Sequence, residues 1–401
     1  MRLRYLASHI LFLVIVGSAI CALAQSASYK VIRITSPFNP SDSVQGSHIS
    51  NWGWLALNDL YHGTQQAFVW RAGKGTALSL FGGSCSTANG INNPGAIVGG
   101  ACLPGKSNPH AYLYTTTKTQ DLGTFRGVSA EGSRVNLTNQ VAGNYQLSDG
   151  TNRGFFWQPK GWHDLGTLGG SFTYPFGLND SAVIAGQSDI SNNPDPVYGI
   201  PPFHGFQWSN GVLTDFGSIF GSNFNYGNSI NNSGLITGSA DVAGDTGAHA
   251  ITWKGGVVQD LTPGGGGYVA WGLDINAHGD VVGAFGQVDS NLADGPPVNT
   301  MLCPCYAMLW HNGQSIVLQN DVPSGWSLLL ALAINDHGEI LARGAFNGGK
   351  LELLLLKPLT PGNPQVFGSS AEIKSSEEKA FPAGAPGMLR RQYDGKIVAI
   401  Q

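Results

Sequence analysis

The side chains best suited to chemistry recur at fixed offsets. His110, His204 and His249 each open an aromatic segment, and Asp121, Asp164, Asp215 and Asp260 each open an Asp-Leu-Gly or Asp-Phe-Gly phrase or a close variant. An imidazole beside a carboxylate can move protons, and clustered His and Asp can hold a metal. Recurrence argues for a plainer role. A side chain repeated at one structural position is expected to pack and hydrogen-bond, and a repeated Asp is expected to cap backbone amides. The three His also lie one or more repeats apart, which is no metal-ligand spacing. His278 and His337 fall in Asn-x-His-Gly turns and are expected to face solvent. No phosphate-binding loop, nucleophile elbow, HExxH or CxxC pair is present. Glu131 is the only Glu before Glu339 and Arg is sparse, which weighs against a paired-carboxylate glycosidase.

The irregular stretches hold the better polar clusters. Asp189 to Asp195 and Asp289 to Asp294 offer several oxygens at short spacing. Calcium takes six to eight such ligands, but neither stretch has the Asp-x-Asp-x-Asp-Gly form of a dedicated loop. No cofactor is expected, with calcium the weak exception. Asn136-Leu-Thr138 and Asn231-Asn-Ser233 match glycosylation sequons, yet both Asn belong to a repeated turn, so the match is incidental.

Composition bounds the class. Only 11% of the 401 residues are charged, against about 25% in an average domain. Gly is abundant at 57 residues, and 42% of the chain is hydrophobic, which disordered chains are not. A formal net charge of −4 offers no basic surface for nucleic acid. Arg2 and Arg4, the apolar run Ile10 to Ile20 and Ala22-Leu-Ala24 read as a secretory signal peptide over residues 1–24. A secreted or periplasmic protein with no membrane span after its removal is expected. Four cysteines then remain. Cys85 and Cys102 lie symmetrically about Asn92-Asn-Pro-Gly95 and could face each other across a hairpin, whereas a one-residue bulge would part them. The state of Cys303 and Cys305 stays open.

Three phrases repeat along the chain, and they must position these residues. A small or apolar run ends in Asn at 58, 92, 136, 179, 231, 276 and 335, often with Gly three and seven residues on. Asn-x-x-Gly reads as a tight turn. An aromatic strand follows, as in Ala67-Phe-Val-Trp70, Gly154-Phe-Phe-Trp157 and Gly205-Phe-Gln-Trp208. The Asp-Leu-Gly phrase comes third, most completely in Asp164-Leu-Gly-Thr-Leu-Gly-Gly170. From Asn92 onward, successive Asn turns lie from 43 residues (Asn136 to Asn179) to 59 (Asn276 to Asn335) apart, which suits four strands per unit. The last unit lacks its third phrase, and Lys30-Val-Ile-Arg-Ile34 is an orphan strand that could supply it. The expected fold is therefore all-β: a seven-bladed β-propeller of four-stranded blades, spanning residues 25–358 and closed by the N-terminal strand. Residues 359–401 read as a low-complexity or disordered tail.

Ala-Phe-x-Trp, Asp-Leu-Gly-Thr-Leu-Gly-Gly and Ile-Asn-x-x-Gly-x-Val-x-Gly together resemble the HAF repeat family of extracellular bacterial proteins. The resemblance covers about residues 30–358, with His110, His204 and His249 at the leading His and Gln66, Arg153 and Tyr306 departing from it. It implies secretion and a repeated β fold, and no activity. The units swell at Ser188–Phe203 and Phe285–Tyr306, on one face of the expected disc, and variable loops on a rigid scaffold are where function concentrates. The expectation is a monomeric binding or scaffolding module. Its ligand would be a glycan or a cell-surface protein, met through Tyr174, Asp195, Tyr198, His204, Tyr226, Tyr268, Asp289 and Asp294. A polysaccharide hydrolase or lyase using loop Asp residues, and a purely structural envelope protein, are the alternatives.

Overall fold

The computed structural model of the protein describes residues 27–360, except 42, 62–63, 197, 244–246, 263–267, 288–299 and 302–304, together with the backbone of 389–391 and 397–399. Apart from the short 3-10 turn Leu318–Asp321, the described elements named as regular structure are strands.

The unit that holds Asn136 shows the plan. Ser129–Val135, Val141–Gln146, Asn152–Gln158 and Gly161–Asp164 form an antiparallel meander in that order. Side chains alternate along the third strand, and so do their neighbours. Phe155 and Trp157 pack with Val98 and Leu113 of the preceding unit. Phe156 points the other way, onto Ile184, Phe206 and Trp208 of the following unit. The fourth strand has one covered side at most and is largely exposed. This accounts for the aromatic phrase: it is the strand buried on both faces.

The other units repeat the meander. Val44–Ile49 to Lys74–Ala77 and Gly90–Ile91 to Thr119–Gly123 are separate four-stranded sheets. The three meanders that start at Thr173, Gly221 and Tyr268 run together as one 12-stranded sheet, joined by single parallel pairings at Phe203–Phe224 and Ala248–Val269. In the last sheet Tyr29–Arg33 pairs antiparallel with Glu352–Pro358, outside Ile340–Phe346 and Trp326–Ile334. The orphan N-terminal segment therefore occupies the fourth-strand place of the last unit. Leu353 and Leu355 of that unit pack with Ile34 and with Phe68 and Trp70 of the first. A separate ribbon pairs Thr300–Met301 with Leu389–Arg391, and that strand with Ile397–Ala399, so part of the tail region is strand.

The turns between first and second strands carry the longest-reaching order. Each Asn accepts amide hydrogens of its own turn, as Asn179 Oδ1 does from Ser181 and Val183, both at 3.0 Å. Its Nδ2 donates to the carbonyl of the next unit's turn residue. The links are Asn92 to Asn136 (2.8 Å), Asn136 to Asn179 (3.2 Å), Asn179 to Asn231 (3.2 Å), Asn231 to Asn276 (3.0 Å), Asn276 to Asn335 (3.3 Å) and Asn335 to Ser50 (3.1 Å). Asn51 N then donates to Asn93 Oδ1 at 2.6 Å. Asn136 and Asn231 are buried in these bonds, which leaves the two sequons without an accessible acceptor.

The first unit's turn is at Ser50, which corrects the expected position. Asn58 lies inside strand Leu55–Tyr61, where its amide holds Ala88 of the next unit through N–H (2.7 Å) and carbonyl (3.2 Å). Ser50 Oγ takes the Trp54 amide that an Asn would take. The Asp of Asp-Leu-Gly is also displaced: Asp164, Asp215 and Asp260 each end the outermost strand rather than start one.

The glycine seven residues past five of the turns, at Gly99, Gly143, Gly186, Gly238 and Gly283, has a local cause. Most inner strands bulge just before the turn, as at Gly132/Arg134 and Gly227/Ser229. The bulge drives an inner-strand carbonyl against the second strand. A Cβ on Gly143 would sit 2.1 Å from Glu131 O, and one on Gly238 1.8 Å from Tyr226 O, so only glycine fits. Cys85 and Cys102 are joined by a disulfide with Cα atoms 5.2 Å apart. Cys305 is disulfide-bonded as well.

Two substitutions test the turn. Asn179→Ala removes the cap and the bridge from a buried site and should cost about 2–4 kcal/mol in urea unfolding. The exposed Asn193→Ala should be neutral to within about 0.5 kcal/mol. Ala182 stands in the left-handed region (φ 59°) where Gly95, Gly234 and Gly279 stand in their turns. Ala182→Gly should therefore stabilise, by about 1 kcal/mol, and a loss of stability would contradict the turn assignment.

Candidate functional site

The recurring His and Asp form latches. His110 Nδ1 lies 3.0 Å from Asp121 Oδ2, His204 Nδ1 2.8 Å from Asp215 Oδ1 and His249 Nδ1 2.8 Å from Asp260 Oδ2. Asp121, Asp164, Asp215 and Asp260 each also accept the amide two residues on, at 2.7–2.9 Å. Where Arg153 replaces the His, the Tyr145 hydroxyl takes the second oxygen of Asp164 at 2.8 Å. Each latch ties the start of a third strand to the crossover leaving the fourth. His204 is buried in this role, its Nε2 3.4 Å from Asn223 Oδ1, so it is architecture and not a ligand contact.

The second-to-third-strand loops and the crossovers share one face, which follows from the meander. On it, the expected contact residues separate into groups. Tyr174 is buried and stacked between Phe172 and Phe176, with interplanar angles of 11° and 3°. Tyr268 is stacked on Phe285 at 5.2 Å. Asp289 and Asp294 lie outside the described residues. Asp195, Tyr198 and Tyr226 do come together, at the junction of the units that hold Asn179 and Asn231. Asp195 Oδ1 accepts the Tyr198 amide and shapes its loop. The Tyr198 ring meets Phe224 edge-on at 4.6 Å, and Phe203 lies 5.3 Å from Phe224 and 6.4 Å from Tyr226.

Asp241 completes this junction. Burial raises its carboxyl to about 7, and it in turn helps, after burial and together with Asp195, to raise the Tyr198 hydroxyl. Sequence reading missed Asp241 because it follows the second strand's repeated core without a phrase of its own. Its poorly solvated place beside an aromatic ring only emerges when two units are packed.

A second group emerges at the innermost layer. Two residues before each turn stand His48, Gly90, Arg134, Gly177, Ser229, Asp274 and Ala333. Asp274 accepts from Ser229 Oγ (2.6 Å) and from Ile334 N (2.9 Å), so it links three units. Burial raises its carboxyl, against the pull of those bonds and of Arg134. Arg134 is lowered to about 10 by burial, and His48 is held below the usual imidazole range by burial and by Arg134. Aligning the units on the turn would have shown this position to be the one where charge breaks the repeat.

No family model and no curated protein matches the chain. Solved structures do. The chain is similar to the β-propeller domain of the trilobed protease from Pyrococcus furiosus, which has an open velcro topology, with 9% identity, 84% of this chain and 100% of that one covered and a TM-score of 0.50. It is also similar to the acylaminoacyl peptidase of Pyrococcus horikoshii (10% identity, 82% of this chain, TM-score 0.50) and to a puromycin-hydrolysing peptidase of Mycobacterium tuberculosis (10%, 81%, 0.50). The match spans 54% of each peptidase chain. The fold is that of a β-propeller. No described helix is long and apolar enough to cross a membrane.

Asp241 sets a pH dependence. Its folded carboxyl titrates near 7 and an unfolded one near 4, so the folded state holds the extra proton between them. Stability contributed by this site is full below pH 4 and declines as pH rises through 7, by at most a few kcal/mol. Asp241→Asn should raise the urea midpoint at pH 8 and leave it unchanged at pH 4. Equal midpoints at both values would remove Asp241 from this role.

Proposed function

We propose that the protein is a secreted, monomeric, seven-bladed β-propeller, closed by its N-terminal strand, that binds a glycan on the insertion-loop face. Closure is supported by the turn bonds that pass from unit to unit and from Asn335 back to Ser50, and by the pairing of Val31 with Leu356. The signal-like residues 1–24 and the Cys85–Cys102 disulfide support an oxidising compartment. The repeat phrases support membership of the HAF repeat group.

The glycan reading is carried by one observation: Tyr198, Phe203, Phe224 and Tyr226 gather beside Asp195 and Asp241 where an enlarged loop meets the next unit. Aromatic faces take the C–H side of a sugar ring, and carboxylates take its hydroxyls. A second reading, a polysaccharide hydrolase or lyase, is favoured by the carboxyl of Asp241. A group titrating near 7 can hold a proton for a leaving oxygen at neutral pH.

A glycan array probed with the full chain, with and without calcium, tests the first reading. Binding to a defined glycan class is expected, weakened about tenfold by Tyr198→Ala. Binding to no glycan, or binding indifferent to Tyr198→Ala, would overturn it and leave a protein ligand or an envelope scaffold. Release of reducing ends from a bound polysaccharide, abolished in Asp241→Asn, would convert the binder into the enzyme.

A further inference from the structure

The inner strands enclose an axis whose lining is divided. Counting back from each turn, the residues three places before it reach the following unit at three of the turns. Asn89 Nδ2 reaches Gly132 O (3.2 Å), Ser133 Oγ reaches Pro175 O (3.0 Å) and Asn228 Nδ2 reaches Gly272 O (2.8 Å). In the first three units the places five and three before the turn hold hydrogen-bonding side chains, among them Gln45, Asn89 and Glu131. In the later units they are mainly aromatic or aliphatic. Phe176, Tyr226, Leu273 and Leu332 occupy them, the last three packed against Trp271 and Leu330. Gln45, Asn89, Glu131, Ser133, Phe176, Tyr226, Leu273 and Leu332 keep partial solvent exposure, whereas Asn228, Trp271 and Leu330 are buried, as are the second strands just behind them at Leu57, Val98 and Val282. Solvent therefore reaches the middle of the fold.

Charge along this layer is limited. Arg134 uses one N–H on Ser133 O (3.0 Å), and its other donors meet no acceptor among the described residues. Gln45 likewise has no side-chain partner there. Both oxygens of Asp274 are engaged by Ser229 and Ile334. Glu131 accepts from Thr87 (3.3 Å) and Asn89 (3.2 Å). With the carboxylates of Glu131 and Asp274 on inner strands, as Arg134 is, a strongly anionic ligand gains little. A neutral ligand with one face of C–H groups and one of hydroxyls matches both halves.

We propose that this axial layer is a saccharide subsite that admits one pyranose ring. Its C–H face lies against Phe176 and Tyr226, and its hydroxyls meet Gln45, Asn89 and Arg134. The ligand class rests on the glycan reading above; the place is tested apart from it, since Tyr226 is shared but Tyr198 and Asp241 take no part.

Isothermal titration and tryptophan fluorescence of the full chain with D-glucose, D-galactose, D-mannose and N-acetyl-D-glucosamine test it, with Trp271 as the internal reporter. Saturable binding of at least one sugar is expected, with loss of about tenfold or more in affinity in Arg134→Met. Tyr198→Ala should leave it unchanged. If circular dichroism shows Arg134→Met unfolded, Gln45→Ala, at a half-exposed position, takes its place with a smaller loss. Binding of none of the four sugars, or equal binding by the axial variants, overturns the subsite. Array binding lost in Tyr198→Ala but kept in the axial variants would overturn this site and leave the loop-face reading standing; the reverse pattern would do the opposite.

Discussion

The structure depends on one side chain used twice. At each turn an Asn carboxamide caps its own hairpin with Oδ1 and donates to the next hairpin's carbonyl with Nδ2. Few residues can do both. Asp has no donor, and Ser reaches only the local amide, as Ser50 shows by taking Trp54 N without an outgoing side-chain bond among the described residues. The bond between units matters because a four-stranded sheet with two apolar faces cannot stand alone in water. Packing between sheets is non-directional, whereas the Asn bridge fixes how far each unit is offset along the axis from the next. The bulge that follows from this arrangement forces glycine on the second strand, and the aromatic strand then fills the space between neighbours. Turn, glycine and aromatic are thus one constraint expressed at three places.

That coupling explains how much could be read from the chain. The strand order within a unit, the aromatic strand buried on both faces and the capping Asp were legible because each is a local rule repeated several times. Repetition averages out single exceptions. The first turn was not legible, since Ser50 meets the local half of the rule with a different residue while Asn58 offers a plausible match in the wrong place. Tyr174 looked like a loop-face contact for a related reason: it sits at a strand start, and only the stacking of Phe172 and Phe176 around it shows that it is core. His204 was expected both to hydrogen-bond as a repeated side chain and to meet a ligand, and the Asp215 beside it shows the first of these.

The residues that proved most informative break the repeat without breaking the fold. Asp241 and Arg134 lie on strands whose flanking residues obey the pattern. Neither has a phrase, and each owes its unusual ionisation to surroundings supplied by other units. A sequence reading works along one unit at a time, so a property that arises between units is invisible to it. Burial of a carboxyl or a guanidinium is such a property.

Buried charge in a repeat protein is also an argument about selection for use. A repeat unit can always place Gly, Ala or Ser two residues before its turn, as the units of Asn92, Asn179, Asn335 and Asn231 do. Those choices satisfy the bulge at no electrostatic cost. Arg134 keeps a guanidinium in a poorly solvated layer with one protein hydrogen bond, where desolvation works against the charged form. Asp274 differs, because its two bonds across units give it a structural return. Its two oxygens both accept, which an Asn side chain with one oxygen could not reproduce, and the Arg134 guanidinium favours its charged form. Arg134 and Asp274 influence each other without forming an ion pair among the described residues. Architecture alone gives no reason for the guanidinium, whereas the hydroxyl-bearing ligand proposed for this layer does.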